Sequence, residues 1–296
     1  MTRVAPAILV LLLVFTPHPF NHLSTVANQA SALAIVAVGM TMVVVTKGVD
    51  LSVGAVYALG AVLAAYASQW GVLPALLLPL VAGAFLGATQ GWLIGRKRLA
   101  PFIVTISGLL FARGFGHLIT NEGQRIHTVP PDSGFRALGH IAVAIALGVT
   151  LLCGLLLRRT SFGMRMTAVG GSEDASDLMG VPVARTKILV YTLSGTLAGL
   201  AGAIAAAQLG SATANIGIGL ELQAIAAVAI GGTMLCGGSG TVAGTLAGVG
   251  VLWMIRDLVD QSPDMQAVIS GALLIVIVVA YALLRRKRSG SFTQTE

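Results

Sequence analysis

The 296 residues are 56% hydrophobic and only 10% charged, with a mean hydropathy of +0.90 and a net charge of +7. A soluble globular chain carries about 25% charged residues, so a water-soluble enzyme or carrier is excluded, and no polar stretch is long enough to fold as a second domain. Cys153 and Cys236 sit in apolar surroundings, without disulfide or metal-ligand spacing.

The pattern predicts an all-α polytopic transmembrane bundle of about ten spans, one membrane domain over residues 1–296. Residues 4–15 are an apolar run behind Arg3. The run is shorter than the roughly 20 residues a crossing needs, and Pro17-His18-Pro19 offers no small-residue cleavage site. It reads as a retained, irregular first helix. Further spans are predicted at 29–47, 51–69, 72–95, 100–120, 138–157, 188–208, 221–236, 241–258 and 265–284. The piece at 221–236 is too short to cross alone and reads as a broken or re-entrant helix, which must be shielded by protein because lipid cannot satisfy free backbone groups.

Charge sets the orientation. Arg96, Lys97 and Arg98 share one gap, Arg158, Arg159, Arg165, Arg185 and Lys187 flank a loop at 158–187, and Arg285, Arg286, Lys287 and Arg288 open the basic tail at 285–296. With ten spans these clusters and Arg3 fall on one side, which the positive-inside rule makes the cytoplasm. Both termini are then expected in the cytoplasm, and the loop at 121–137 outside.

Glycines recur every four residues at Gly83, Gly87, Gly91 and Gly95, and at Gly240, Gly244 and Gly248. That spacing lines one helix face and lets backbones approach closely. It predicts tight bundle packing, with a substrate path or subunit interface as the alternative. An internal echo pairs Gly39-Met40-Thr41-Met42 with Gly231-Gly232-Thr233-Met234, each ahead of a break and a new helix. Such interrupted repeats are found near the midplane sites of transporters.

In the 158–187 loop, Ser172 is an N-cap and Glu173 and Asp174 occupy a first turn, where the helix dipole favours acids. Ala175, Leu178 and Met179 share a face. Gly180 suits the position past the helix end and Pro182 prevents continuation. These residues predict a short amphipathic helix outside the membrane, either an ordinary surface helix or one that docks into a groove of a cytoplasmic partner. Upstream, Lys47 and Asp50 bracket Gly48 in the gap between two apolar runs, ahead of Ser52 and Gly54. Charges in such places are costly and are usually paired or functional. Pairing of Lys47 with Asp50, capping of the next helix by Asp50 and Ser52, and pairing of Arg113 with Glu221 are all open on this pattern. No P-loop, metal-ligand or nucleophile pattern occurs. Any ATP hydrolysis must belong to another chain, and no cofactor is expected.

Ala37-Val38-Gly39-Met40-Thr41, continuing through Gly48-Val49-Asp50-Leu51-Ser52-Val53-Gly54, resembles the signature of ribose-type ABC importer permeases. The likeness extends from Phe20-Asn21 and Asn28-Gln29-Ala30 through Arg113-Gly114, Phe162-Gly163, Ala168-Val169-Gly170-Gly171 and Gly180-Val181. It ends on Glu221-Leu222, Ala224-Ile225-Ala226-Ala227-Val228, Ile230-Gly231-Gly232-Thr233 and Gly237-Gly238-Ser239-Gly240-Thr241-Val242. Within that family, the short N-terminus and Phe111-Ala112-Arg113-Gly114 are most similar to the smaller permease of galactofuranose importers.

The resemblance implies an inner-membrane subunit that passes a monosaccharide from a periplasmic binding protein to the cytoplasm. Its partners would be a second permease chain, identical or different, and a cytoplasmic ABC ATPase that binds the ATP. Gly163 and the segment Ser172, Glu173, Asp174, Ala175, Leu178, Met179 and Gly180 would couple to that ATPase. Gly48, Asp50, Ser52, Gly54, Arg113, Glu221, Gln223, Gly231, Gly232 and Thr233 are the candidate translocation path. The chain departs from the family at Lys47, where glycine is usual, and at Gln223, where aspartate is usual. An ABC permease for a nucleoside or amino acid, and an ion-coupled secondary transporter, are the alternatives.

Overall fold

The computed structural model describes residues 23–121 and 127–259, with four helical positions at 268, 271, 272 and 275. The spans expected at 4–15 and 265–284 otherwise lie outside the described residues. In chain order the helices are α1 (Leu23–Val45), α2 (Val53–Ala67), α3 (Val72–Gly95), α4 (Pro101–Ile119), α5 (Gly134–His140), α6 (Ala142–Arg159), α7 (Ser161–Gly171), α8 (Glu173–Leu178), α9 (Val183–Leu209), α10 (Leu220–Ile230) and α11 (Val242–Val259). Two short strands, β1 (His127–Thr128) and β2 (Ser211–Ala212), pair antiparallel with His127 opposite Ala212.

Among the described residues six helices are long and apolar enough to cross a membrane: most of α1, α2 with its 3-10 extension to Trp70, α3, α4, α6 and α9. The apolar stretches Leu220–Ile230 in α10 and Val242–Met254 in α11 are shorter. Ten crossings were expected; of the four not among these six, those at 4–15 and 265–284 fall, but for the four positions above, outside the described residues, and those at 221–236 and 241–258 correspond to the shorter apolar stretches. The predicted 221–236 span stops at Ile230, because Gly231-Gly232 follows and Gly232 takes φ +80°. The predicted 138–157 span divides at Ile141 into α5 and α6. The span expected at 188 starts five residues earlier, since Pro182 opens α9 and Arg185 and Lys187 join its first two turns.

Helix α1 is apolar on all sides and buried on all sides, from Ser31 to Val45. That combination marks the centre of a bundle. Helices α3, α4 and α6 instead turn Leu77, Val81, Phe85, Phe102, Leu110, Leu147 and Leu151 outward. In a bilayer such a surface meets acyl chains.

Between helices, small residues set the fit. Gly83, Gly87, Gly91 and Gly95 of α3 lie directly on the backbone of α9 at Gly195, Tyr191, Ile188 and Ala184. A methyl group at Gly87 would strike the Tyr191 carbonyl. Gly244 and Gly248 of α11 pack the same way on Gly231 and Ala227. Both glycine series therefore serve bundle packing. The internal echo is only half structural. Thr41 lies within α1 and Thr233 lies in the turn after α10, whereas residues 51–54 and 241–244 both open helices.

The bundle has two distinct ends. At one, Gly238 N–H donates to the Val45 carbonyl, Gly170 abuts Val45, and Arg98 reaches Asp177. This end carries the basic gaps at 96–98 and 158–187. At the other, β1 pairs with β2, Tyr66 sets its ring edge-on to His127, and Gln208 donates to the Asn28 carbonyl.

Candidate translocation and coupling sites

The chain leaves α1 at Thr46, whose hydroxyl donates to the Val43 carbonyl. Lys47 then turns left-handed at φ +62°. Gly48 is packed beneath the Tyr191 hydroxyl, which donates to the Val49 carbonyl at 3.3 Å. Asp50 follows, 1% exposed. Its Oδ1 accepts from Ser52 N–H at 3.0 Å and from Ser52 Oγ at 2.6 Å. Its Oδ2 accepts from Ser194 Oγ of α9 at 2.9 Å. Ser52 Oγ in turn accepts from Gln90 Nε2 of α3 at 3.0 Å. The stretch between α1 and α2 is thus a re-entrant segment fastened to α3 and α9 by a closed polar network.

Lys47 does not pair with Asp50. Its side chain is exposed on the basic end while Asp50 is buried among hydroxyls. Arg113 likewise makes no ion pair with Glu221 among the described contacts. Its Nη1 donates to the Ala214 and Ile216 carbonyls at 2.7 and 2.9 Å, holding the loop that precedes α10. Loop and helix then reach α2. Gly54 lies against the Glu221 carboxylate and the Gly217 carbonyl, and a Cβ at Gly54 would overlap both. Glu221 Oε2 is buried without a hydrogen-bond partner. Helices α2 and α10 consequently start near one another, each after a non-helical approach. This is the discontinuous-helix construction used at transporter midplane sites.

Gly48, Asp50, Ser52, Gly54, Arg113 and Glu221 are therefore brought into one region. Gly231, Gly232 and Thr233 form a separate turn against α11, near the buried Thr41–Thr245 hydroxyl pair at 2.7 Å. Gln223 is half-buried on α10. Sequence reasoning missed Gln90, Tyr191 and Ser194. Gln90 had a legible signal, an amide within a long apolar span, but Ser194 and Tyr191 had none.

At the basic end, Thr160 caps α7 by accepting from Gly163 N–H at 3.3 Å, and Gly163 lies against the Leu157 carbonyl, where no side chain fits. Ser172 Oγ caps α8 by accepting from Ala175 N–H at 3.2 Å, and Gly180 ends the segment at φ +77°. These are the predicted caps. Leu178 and Met179 are 91% and 82% exposed, with Ala175 beside them. Two ion pairs hold α8 in place: Glu173 with Lys187 of α9 at 2.6 Å and Asp177 with Arg98 at 3.3 Å. They border a cleft of about 540 Å³ that Lys47 also lines.

Residues 22–278 match the family described as branched-chain amino acid transport system / permease component. The chain belongs to this permease family. It is 36% identical over 284 residues to the ribose import permease RbsC of Bacillus subtilis, covering 92% of this chain and 86% of that protein. It is 33% identical over 286 residues to the fructose import permease FruG of Bifidobacterium longum, covering 88% and 82%. It is 31% identical over 290 residues to the galactose/methyl galactoside import permease MglC of Escherichia coli, covering 88% and 86%. No solved structure matches the chain. Family membership makes this a permease component and not an enzyme, in keeping with the absence of a P-loop pattern.

Proposed function

We propose that this chain is the multi-pass permease subunit of an ATP-driven importer in a bacterial inner membrane. It acts as one membrane domain, carrying a monosaccharide of the ribose or galactofuranose kind from a periplasmic binding protein to the cytoplasm. A second permease chain completes the path, and a cytoplasmic ABC ATPase supplies the work. The observation that carries the ATP-driven reading is α8, a capped helix on the basic end whose apolar residues face solvent. Such a helix is built to enter a groove in a partner. The sugar class is supported by the names of the relatives, which import ribose, fructose and galactosides. The galactofuranose reading is supported by the Phe111–Gly114 likeness.

Gly48, Asp50, Ser52, Gly54, Arg113, Glu221, Gln223, Gly231, Gly232 and Thr233 are proposed to shape the path, most of them by holding the re-entrant segments rather than by touching solute. The test is uptake by the assembled transporter in vesicles, with ribose, galactofuranose and leucine offered separately. ATP-dependent uptake of a sugar is the expected result. The family description favours leucine as the second reading, and selective leucine uptake would replace the sugar. Uptake driven by an ion gradient without the ATPase chain would overturn the proposal altogether.

A further inference from the structure

Helix α9 touches both regions described above, and it does so along a single face. Lys187, Tyr191 and Ser194 are spaced i, i+4 and i+7, which stacks them on one side of a helix. At its basic end Lys187 Nζ is 2.6 Å from Glu173 Oε1 of α8. One turn on, the Tyr191 hydroxyl donates to the Val49 carbonyl, and a turn further Ser194 Oγ donates to Asp50 Oδ2. The Lys187 side chain is only 10% exposed and that of Glu173 41%, so the lysine charge is largely desolvated and depends on this carboxylate. Arg98–Asp177, the other pair on α8, is 81% and 59% exposed. An ion pair so exposed holds α8 weakly. Helix α9 itself is seated on α3 by backbone contacts at Gly87, Gly91 and Gly95, which leaves it little room to bend.

We propose that the Glu173–Lys187 ion pair is the positioning joint that links displacement of α8 to the re-entrant segment at residues 48–52, with α9 as the rigid arm. This rests on the reading that α8 docks on an ATPase. When α8 is pushed, Glu173 carries Lys187 with it, and Tyr191 and Ser194 shift Val49 and Asp50. Such coupling needs no side chain between Lys187 and Ser194 to change conformation.

The test uses the complete assembled transporter in vesicles, with solute uptake and ATP hydrolysis measured on the same preparation. Glu173→Gln is expected to lower uptake per ATP hydrolysed about tenfold, the size of an ordinary coupling between sites, while hydrolysis persists. Lys187→Met preserves the length and packing of the stem and is expected to act alike. The reversed pair, Glu173→Lys with Lys187→Glu, is expected to recover most of the uptake. Ser194→Ala combined with Glu173→Gln is expected to lose no more than the worse single variant. Sites about 10 Å apart along a helix ordinarily add, so a merely local role predicts additive losses. Unchanged uptake per ATP in Glu173→Gln and Lys187→Met, or additive losses with Ser194→Ala, would overturn the joint. Leu178→Glu separates the two readings. If α8 does not dock, Leu178→Glu has no effect; if only the joint is wrong, Leu178→Glu uncouples and Glu173→Gln does not.

Discussion

Asp50 illustrates how a charge survives inside an apolar bundle. Its two oxygens take three donated hydrogen bonds from Ser52 and Ser194, so the carboxylate is satisfied without a cation. Asp50→Ala takes the acceptor from the buried Ser194 hydroxyl and from the Ser52 N–H, whereas the Ser52 hydroxyl can still donate to Gln90 Oε1, a loss of about 1–3 kcal/mol. Asp50→Asn keeps one oxygen and should cost less. Thermal unfolding in detergent micelles is expected to rank wild type above Asp50→Asn above Asp50→Ala. Lys47 presents the opposite case. A left-handed non-glycine residue costs about 1–2 kcal/mol, and glycine gives back about 0.5–1 kcal/mol of that through its greater freedom when unfolded. Lys47→Gly should therefore raise stability by about 0.5–1 kcal/mol in the same assay. The glycine usual in the resembled family fits this turn without strain. That Asp50 carries charge in a costly place was legible in the sequence, whereas Lys47, read the same way, is exposed. The partners of Asp50 were not legible, because Ser194 is 144 residues away and is one unremarkable serine among many.

Helix α8 was the most legible element, since everything that defines it is local. Ser172, the two acids after it, Gly180 and Pro182 fix start, charge and stop within eleven residues. Helix α7 was missed because Ser161–Gly171 is rich in glycine and short of apolar periodicity, and it is held mainly by its neighbours. The apolar pair on α8 leads to a sharp expectation. Leu178→Glu or Met179→Glu should leave the protein in the membrane but separate ATP hydrolysis from uptake by the assembled transporter. Unchanged transport in both would remove the docking role.

Close packing of α3 on α9 gives a second expectation at this scale. Gly87→Ala drives a methyl into the Tyr191 carbonyl, and overpacking of this sort costs about 1–3 kcal/mol. Gly148 of α6 has open space around it, so Gly148→Ala should be neutral or should gain up to about 1 kcal/mol of helix propensity. Paired unfolding curves distinguish the two sites. Equal losses would mean that the glycine spacing reflects something other than contact.

The whole molecule is organised by its two ends. Six long helices together with α10 and α11 run alternately between them. Helix α1 begins at the end formed by the β1–β2 pair and reaches the basic end at Val45. Ten crossings, with Arg3 and residues 285–288 on the basic end, are what charge parity predicts, and the two crossings this adds fall outside the described residues. The positive-inside rule predicts that the basic end faces the cytoplasm. Trp70 is exposed at one end and Leu178 at the other. With Cys153 and Cys236 replaced by alanine, Trp70→Cys should react with a membrane-impermeant maleimide in intact spheroplasts, and Leu178→Cys only after the membrane is opened. Reaction of Leu178→Cys from outside would invert the bundle. It would also place α8 on the wrong side for any cytoplasmic ATPase, so one labelling experiment tests the orientation and the energy source together.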